Sequence, residues 1–469
     1  MQTTIQRGSL GVLALASVFA GAAQAAIPAV TASFYISGAS AARAIPPAIA
    51  TELCRTSPDD RGIWVDNPSS VNYRIDVCTL KNDASVPTAL RGLKVAFYSR
   101  AQGGSLFGVR PVAIPQAIRF INGAACPDQD NDPASIQTCN VLTGDADFTP
   151  PDGTNDGKVP DFGLSDEEPL FTCNVAAENG PAQCTAAEIA ALKTAKVTAA
   201  ATYQLPWTIQ VGETLAAELG GNISASAMTA IFVGTYTSVA QVKSAMGIEP
   251  AEGDADEGLK VCRRTNTSGT QAGHAQIWLG SNFCGFQTSA GSFVNEASDD
   301  DNAGNGFPLN YDVVENSSSS NLENCVIAAA DRGRSIGINS LENAAKPGSV
   351  AVAIDGIDAT QFNAATGLYK WYAESTLNSN SDVINNTATL PALVRTDLTA
   401  RATNAQRSAF LTLFRTNVRN PAKIVSSGLN GINALPNFGA PSNPYSASSP
   451  TAWVTKNGNN CKPSTPIFP

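Results

Sequence analysis

Asp161-Phe162-Gly163-Leu164-Ser165-Asp166 decides the reading of this chain. It is one of four turns with the same chemical character. The others are Ser37-Gly38-Ala39-Ser40, Gly103-Gly104-Ser105 and Arg264-Thr265-Asn266-Thr267-Ser268-Gly269-Thr270. Each puts glycine and small hydroxyl residues where a strand ends and a helix begins. Helix N-termini carry unpaired N–H groups and the positive end of the backbone dipole. Glycine lets a ligand approach the backbone, and Ser and Thr add donors, so several such turns converging would hold a tetrahedral oxyanion. In α/β sheets these turns lie at the carboxyl ends of strands, where ligands bind. Taken singly, each is better explained by ordinary helix capping, Ser40 as an N-cap and Ser268-x-x-Gln271 as a capping box; the combination shifts the weight.

Working outward, strands are expected at residues 32–36, 93–99, 259–262, 335–339 and 350–354. Helices are expected at 189–197, 224–233, 238–246, 268–279 and 403–415. Thr185-x-x-Glu188 is a capping box for the first of these, and Gly234 and Gly247 mark the ends of the next two. Strands alternating with helices indicate an α/β fold with largely parallel sheets. Residues 124–160 are rich in Asp, Pro, Asn and Gly, lack periodicity and read as an inserted loop region. The tail from residue 437 reads as irregular.

The resemblance now becomes specific. Asp161-Phe162-Gly163-Leu164-Ser165-Asp166 followed by Pro169-Leu170 resembles the D-F-G-x-S-D-x-P-L segment of periplasmic phosphate-binding proteins of ABC importers. Arg264-x-x-x-Ser268-Gly269-Thr270 resembles that family's R-x-D-G-S-G-T segment, and the order of the four turns agrees. The resemblance implies a type II periplasmic binding protein fold: α/β, two discontinuous lobes, and a ligand cleft between them. It implies Asp166 as acceptor of a protonated phosphate oxygen and Arg264 as a charge-assisted donor. Ser268, Gly269 and Thr270 would donate from a helix start, and Ser105 with Ser37 or Ser40 would close the site. The chain departs from the pattern at three places, one of them the loop at 124–160, which has no counterpart in the family. Ala42-Arg43 stands where the family has Thr-Phe or a similar pair, and Thr265-Asn266-Thr267 stands where Asp-Gly is usual.

Composition limits the alternatives. A chain of 469 residues is too long for one core and suggests two lobes. The net charge of -10, with no basic arm or patch, excludes an ordinary nucleic-acid binder. Arg7, an apolar run at 10–23 and Ala23-Gln24-Ala25 read as a cleaved export signal, with no cysteine at the cleavage point to carry a lipid. Ten cysteines in an exported chain favour disulfides. Neighbour pairing predicts Cys54–Cys78, Cys126–Cys139, Cys173–Cys184, Cys262–Cys284 and Cys325–Cys461. A zinc site is disfavoured because Cys-x-x-Cys is absent and His274 is the sole histidine. That single histidine also disfavours a Ser-His-Asp hydrolase unless His274 is the base. Asp128-Gln129-Asp130-Asn131-Asp132 and Asp152-Gly153-Thr154-Asn155-Asp156-Gly157 alternate oxygen ligands like calcium loops, but neither has the Glu that would complete the pattern, and solvated acidic turns are the favoured reading. Asp299-Asp300-Asp301 reads as surface.

The expected organisation is an export signal at 1–25, a first lobe at 26–207 with the insertion, a second lobe at 208–338, and a return at 339–469. The expected function is capture of an oxyanion, phosphate first, by a monomeric periplasmic or secreted protein, for delivery to an ABC transporter permease. No cofactor, metal or catalytic residue is expected. The alternatives are a secreted phosphate-scavenging or surface-interaction protein on the same scaffold and, least favoured, a phosphate-ester hydrolase.

Overall fold

Alternation along one strand explains the first half of the molecule. β1 (Ala32–Gly38) sends Phe34 and Ile36 to one face and Tyr35 to the other, the period of two that a pleated strand imposes. Next in the chain come β2 (Gly62–Val65), β3 (Tyr73–Thr79) and β4 (Lys94–Arg100). β4 repeats the division, with Val95 and Phe97 beside Phe34 and with Ala96 and Tyr98 beside Tyr35. One face packs on the helix Asn404–Val418, whose Phe410 stacks on Phe34 with centroids 4.1 Å apart. The other face is covered by the segment carrying Phe107, Phe120 and the Cys126–Cys139 bridge. The computed structural model describes residues 27–56, 61–69, 71–127, 136–142, 146–150, 157–174, 184–255, 257–265, 267–279, 310–343, 345–429, 431–435, 445–460 and 462–467.

β5 (Ile136–Thr138) and β6 (Phe162–Ser165) complete this half. β1 runs parallel to both β4 and β6, and β3 and β2 extend the sheet antiparallel beyond β4. β7 (Val197–Gly212) then links the halves. It is followed by β8 (Asn222–Ile223), β9 (Lys260–Arg264), β10 (Asp312–Asn316), β11 (Ser335–Ser340) and β12 (Ser349–Ile354). β13 (Tyr372–Asn380) and β14 (Asn433–Ala434) return to the first half. Residues 197–206 of β7 pair with β13, while Trp207 to Val211 pair with β11. β9 lies between β10 and β11 and runs parallel to both.

The apolar residues follow the same division. One cluster centres on Phe34, Phe162, Leu205 and Phe410; a second runs from Ile209 and Val211 through Met228, Val261 and Ile338 to Tyr369 and Trp371. β7 contributes Leu205 to the first and Ile209 to the second. The result is the expected α/β architecture, in a sheet that mixes parallel and antiparallel pairs where largely parallel ones were expected, with two cores joined through β7.

Two expectations are corrected. The helix after Thr185 has its capping box, but it ends at Leu192, and the chain is a strand from Val197 onward. Cys262 pairs with Cys325, which overturns both the Cys262–Cys284 and the Cys325–Cys461 expectations. The helix Ser319–Val326 packs on β9 with Leu322, Val326 and Cys262 in one cluster, bringing the two Cα atoms to 6.0 Å across 63 residues of sequence. Spatial adjacency of a later helix therefore overrides nearness in sequence. Cys54–Cys78, Cys126–Cys139 and Cys173–Cys184 form as expected. Cys284, Cys461, the export signal and the acidic stretches at 128–132, 152–156 and 299–301 lie outside the described residues. Among the described residues no helix is long and apolar enough to cross a membrane, and no group of His, Cys, Asp or Glu could hold a metal.

Candidate functional site

The turns that follow β6 and β9 meet the turn that follows β4. Asp166, just past β6, donates its backbone N–H to Ser105 Oγ at 2.9 Å. From the other half, Thr270 donates its hydroxyl to Asp166 Oδ2 at 3.2 Å. Thr270 stands in the first turn of the helix Gly269–Leu279. Leu106 donates its N–H to the Thr267 carbonyl at 3.3 Å. Two glycines make this approach possible. A Cβ on Gly269 would lie 2.1 Å from Ser105 Oγ, and one on Gly104, whose φ is +76°, would lie 2.7 Å from the Thr267 carbonyl oxygen. No side chain fits at either point, so the sequence keeps glycine there.

Other turn residues hold the framework. Ser37 donates to the Phe107 carbonyl at 2.7 Å, tying β1 to the second turn. Ser268 caps its helix by accepting from Gln271 N at 3.3 Å. Gln271 does not close the capping box; its Oε1 accepts from Arg264 N at 2.8 Å and so couples the helix start to β9. Ser40 is buried, and its hydroxyl has no partner among the described residues.

Arg264 is fully buried. Its Nε donates to the Asn316 carbonyl at 3.0 Å, Nη2 to the Ser317 carbonyl at 3.2 Å and Nη1 to Ser319 Oγ at 3.2 Å. A guanidinium has five N–H groups, and three of them are engaged among the described residues. Burial lowers its pKa to about 10, opposed by Asp166 and helped by Arg43. Asp166 shows the complementary strain. Burial raises its carboxyl to about 6, opposed by Arg264 and by the Thr270 and Ser105 hydroxyls. Its Oδ1 is buried with no partner among the described residues.

The fold adds groups that the motifs did not indicate. Arg43, at the place where the sequence departs from the family, donates Nη2 to Glu323 Oε1 at 3.3 Å, while Nη1 is buried without a partner among the described residues. Glu323 also meets Lys346 at 2.8 Å and Asn339 at 3.1 Å. Glu342, in the turn after β11, is pushed up to about 8 by burial, with Asp166 adding to the effect and Ser340 opposing it. The Tyr203 hydroxyl on β7 is buried and held well above its ordinary range by burial and by Asp166. Nothing in the local sequence marks Glu342 or Tyr203; only the pairing of β7 with β11 and β13 brings them near Asp166. The sole histidine, His274, is packed against Trp207 at 5.0 Å and Phe232 at 6.5 Å, and burial keeps it neutral.

No protein-family model matches the chain, and no curated protein matches it. Among solved structures it is similar to a protein described as a phosphate ABC transporter substrate-binding protein, with bound phosphate, from Clostridium perfringens. The identity is 13% over 78% of this chain and 91% of that one, with a TM-score of 0.39. It is also similar to an ABC-type phosphate transport receptor from Vibrio cholerae, at 16% identity over 54% of this chain and 79% of that one, TM-score 0.29. A third is described as a possible phosphate binding protein from Planctomyces limnophilus DSM 3776, at 11% identity over 81% and 99%, TM-score 0.30. These are proteins of the family whose motifs the sequence resembles.

Proposed function

We propose that this chain is an exported solute-binding protein that captures an oxyanion, phosphate first, where its two halves meet, and delivers it to an ABC-type importer. The observation that carries this reading is the convergence of Ser105 and Asp166 from one half with Gly269 and Thr270 from the other. The buried Arg264 engages three of its five N–H groups among the described residues, and Asp166 leaves one buried oxygen bare. Helix-start N–H groups and the guanidinium would bind the anion's oxygens. Asp166 Oδ1 would accept the proton that phosphate retains near neutral pH and would repel sulfate, which has none. β7, which contributes to both cores, is the proposed hinge, and closure would bury the ligand. His274, neutral and enclosed by aromatic rings, is poorly placed to act as a hydrolytic base, which favours binding over turnover.

Isothermal titration of the purified mature chain with phosphate and with sulfate tests the reading. Phosphate should bind and sulfate should not. Arg264→Ala should weaken phosphate binding by roughly 2–5 kcal/mol, more than tenfold. Arg264→Lys, which keeps the charge and loses the fork, should fall between. Folding is checked by circular dichroism, because Arg264 also supports the carbonyls of Asn316 and Ser317. Folded variants that bind phosphate like the wild type would reduce the two motifs to helix caps.

A further inference from the structure

Glu342 has one carboxylate oxygen engaged and one bare. Its Oε1 accepts from Ser340 Oγ at 2.6 Å and from Asn343 Nδ2 at 2.8 Å. Its Oε2 is shielded from solvent with no partner among the described residues. An ionised oxygen in that position, denied both water and a donor, is costly. A proton on Oε2 removes the cost and turns the group into a donor, while Oε1 keeps both of its incoming bonds. The groups bearing on it agree. Asp166 disfavours a second negative charge, and Arg43 only partly offsets that, being itself bonded to Glu323. The Tyr203 hydroxyl is within electrostatic reach of Glu342 as well, and is neutral. Glu323 is already matched by Arg43, Lys346 and Asn339.

Asp166 and Glu342 are thus two acids near one another with different roles. Each has a bare buried oxygen: Asp166 Oδ1 and Glu342 Oε2. Resting on the phosphate reading, we propose that Glu342 is a second specificity residue of the site, protonated and donating from Oε2 to a ligand oxygen while Asp166 accepts the ligand's own proton. The pair then reads both faces of a hydrogen phosphate, an oxygen that takes a proton and a hydroxyl that gives one. Neither carboxyl changes its protonation state on binding at neutral pH, since Glu342 already holds its proton with a pKa raised to about 8 and Asp166, at about 6, has lost its own.

The test compares phosphate affinity of the wild type and Glu342→Gln by isothermal titration from pH 6.5 to 9.5. Taking the ratio of the two affinities cancels the titration of phosphate itself. Gln keeps a donor at every pH, so the two proteins should bind within about twofold of each other at pH 6.5–7. Above the pKa of about 8 the wild type loses its donor, and by pH 9.5 it should bind about 30-fold more weakly than the variant. Glu342→Ala should be weaker than wild type at pH 7 and should show no such divergence from the Gln variant at high pH. A ratio constant across the range, or a folded Gln variant that fails at pH 7, would overturn the role of Glu342 alone. A wild type that binds no phosphate would overturn the phosphate reading and this inference together, and that result is visible before any variant is made.

Discussion

Two aspartates show how the same residue types serve opposite ends in this molecule. Asp147 lies beside the strand β4, where Arg100 reaches it at 2.5 and 2.9 Å. Arg119 adds Nε at 3.2 Å, Nη2 at 2.9 Å and its backbone N–H at 2.8 Å. Both oxygens are occupied, and although burial opposes ionisation, these donors hold the carboxyl down at about 2. Asp166 is also buried near an arginine, yet Arg264 directs three of its N–H groups to Asn316, Ser317 and Ser319. Among the described residues no ion pair joins Asp166 to it, Oδ1 stays bare, and the carboxyl rises to about 6. A saturated cluster stabilises the fold. An unsaturated one is held in place by the fold and waits for a partner.

The first way to break this contrast is Asp147→Asn. It leaves the buried Arg100 without its counter-charge and should cost about 3 kcal/mol in urea unfolding. Phosphate affinity should stay as in the wild type. A large loss of affinity at full occupancy of the folded state would show that the two clusters are not independent.

The pH dependence of stability sharpens the contrast. Asp147 is depressed, so its contribution is present above its ordinary pKa of 3.8 and is lost as pH falls through about 2. The difference corresponds to about 2 kcal/mol. Asp166 and Glu342 are raised, so the sign reverses. Their ionisation destabilises the ligand-free fold progressively as pH rises from their ordinary values through about 6 and about 8. Melting temperatures of the ligand-free protein should therefore fall between pH 5 and 8.5, and phosphate should flatten that slope. A melting temperature that climbs across this window would contradict the assignment.

Much of the site-bearing framework was legible in the sequence. The turns after β1, β4, β6 and β9 announce themselves by glycine and hydroxyl residues at strand ends, and the capping box at Thr185 marked a real helix start. β13 was not legible. Tyr-Ala-Glu-Ser-Thr-Leu-Asn-Ser-Asn has no apolar alternation, yet every residue of it is buried. Several of its polar groups find partners in distant chain: Glu374 accepts from Thr455, Lys456 and Gly458, and Asn378 donates to the Gly108 carbonyl. Periodicity reads one-sided burial and fails where both faces are buried and polar. The same limit hid Cys262–Cys325, Tyr203 and Glu342, whose neighbours are fixed by sheet order and not by sequence spacing.

The central claim is that the Asp166 site is unsaturated until an anion arrives, and one set of urea unfolding curves tests it. Wild type and Asp166→Asn are compared at pH 7.5 alone, with phosphate and with sulfate. Removing an ionised carboxylate that burial disfavours should make the ligand-free variant more stable by about 1–2 kcal/mol. Phosphate at 100 times its Kd should stabilise the wild type by about 2.7 kcal/mol. Sulfate should leave the wild type unchanged and stabilise the variant, which no longer repels it. A ligand-free variant less stable than wild type, with neither anion shifting either curve, would contradict the account.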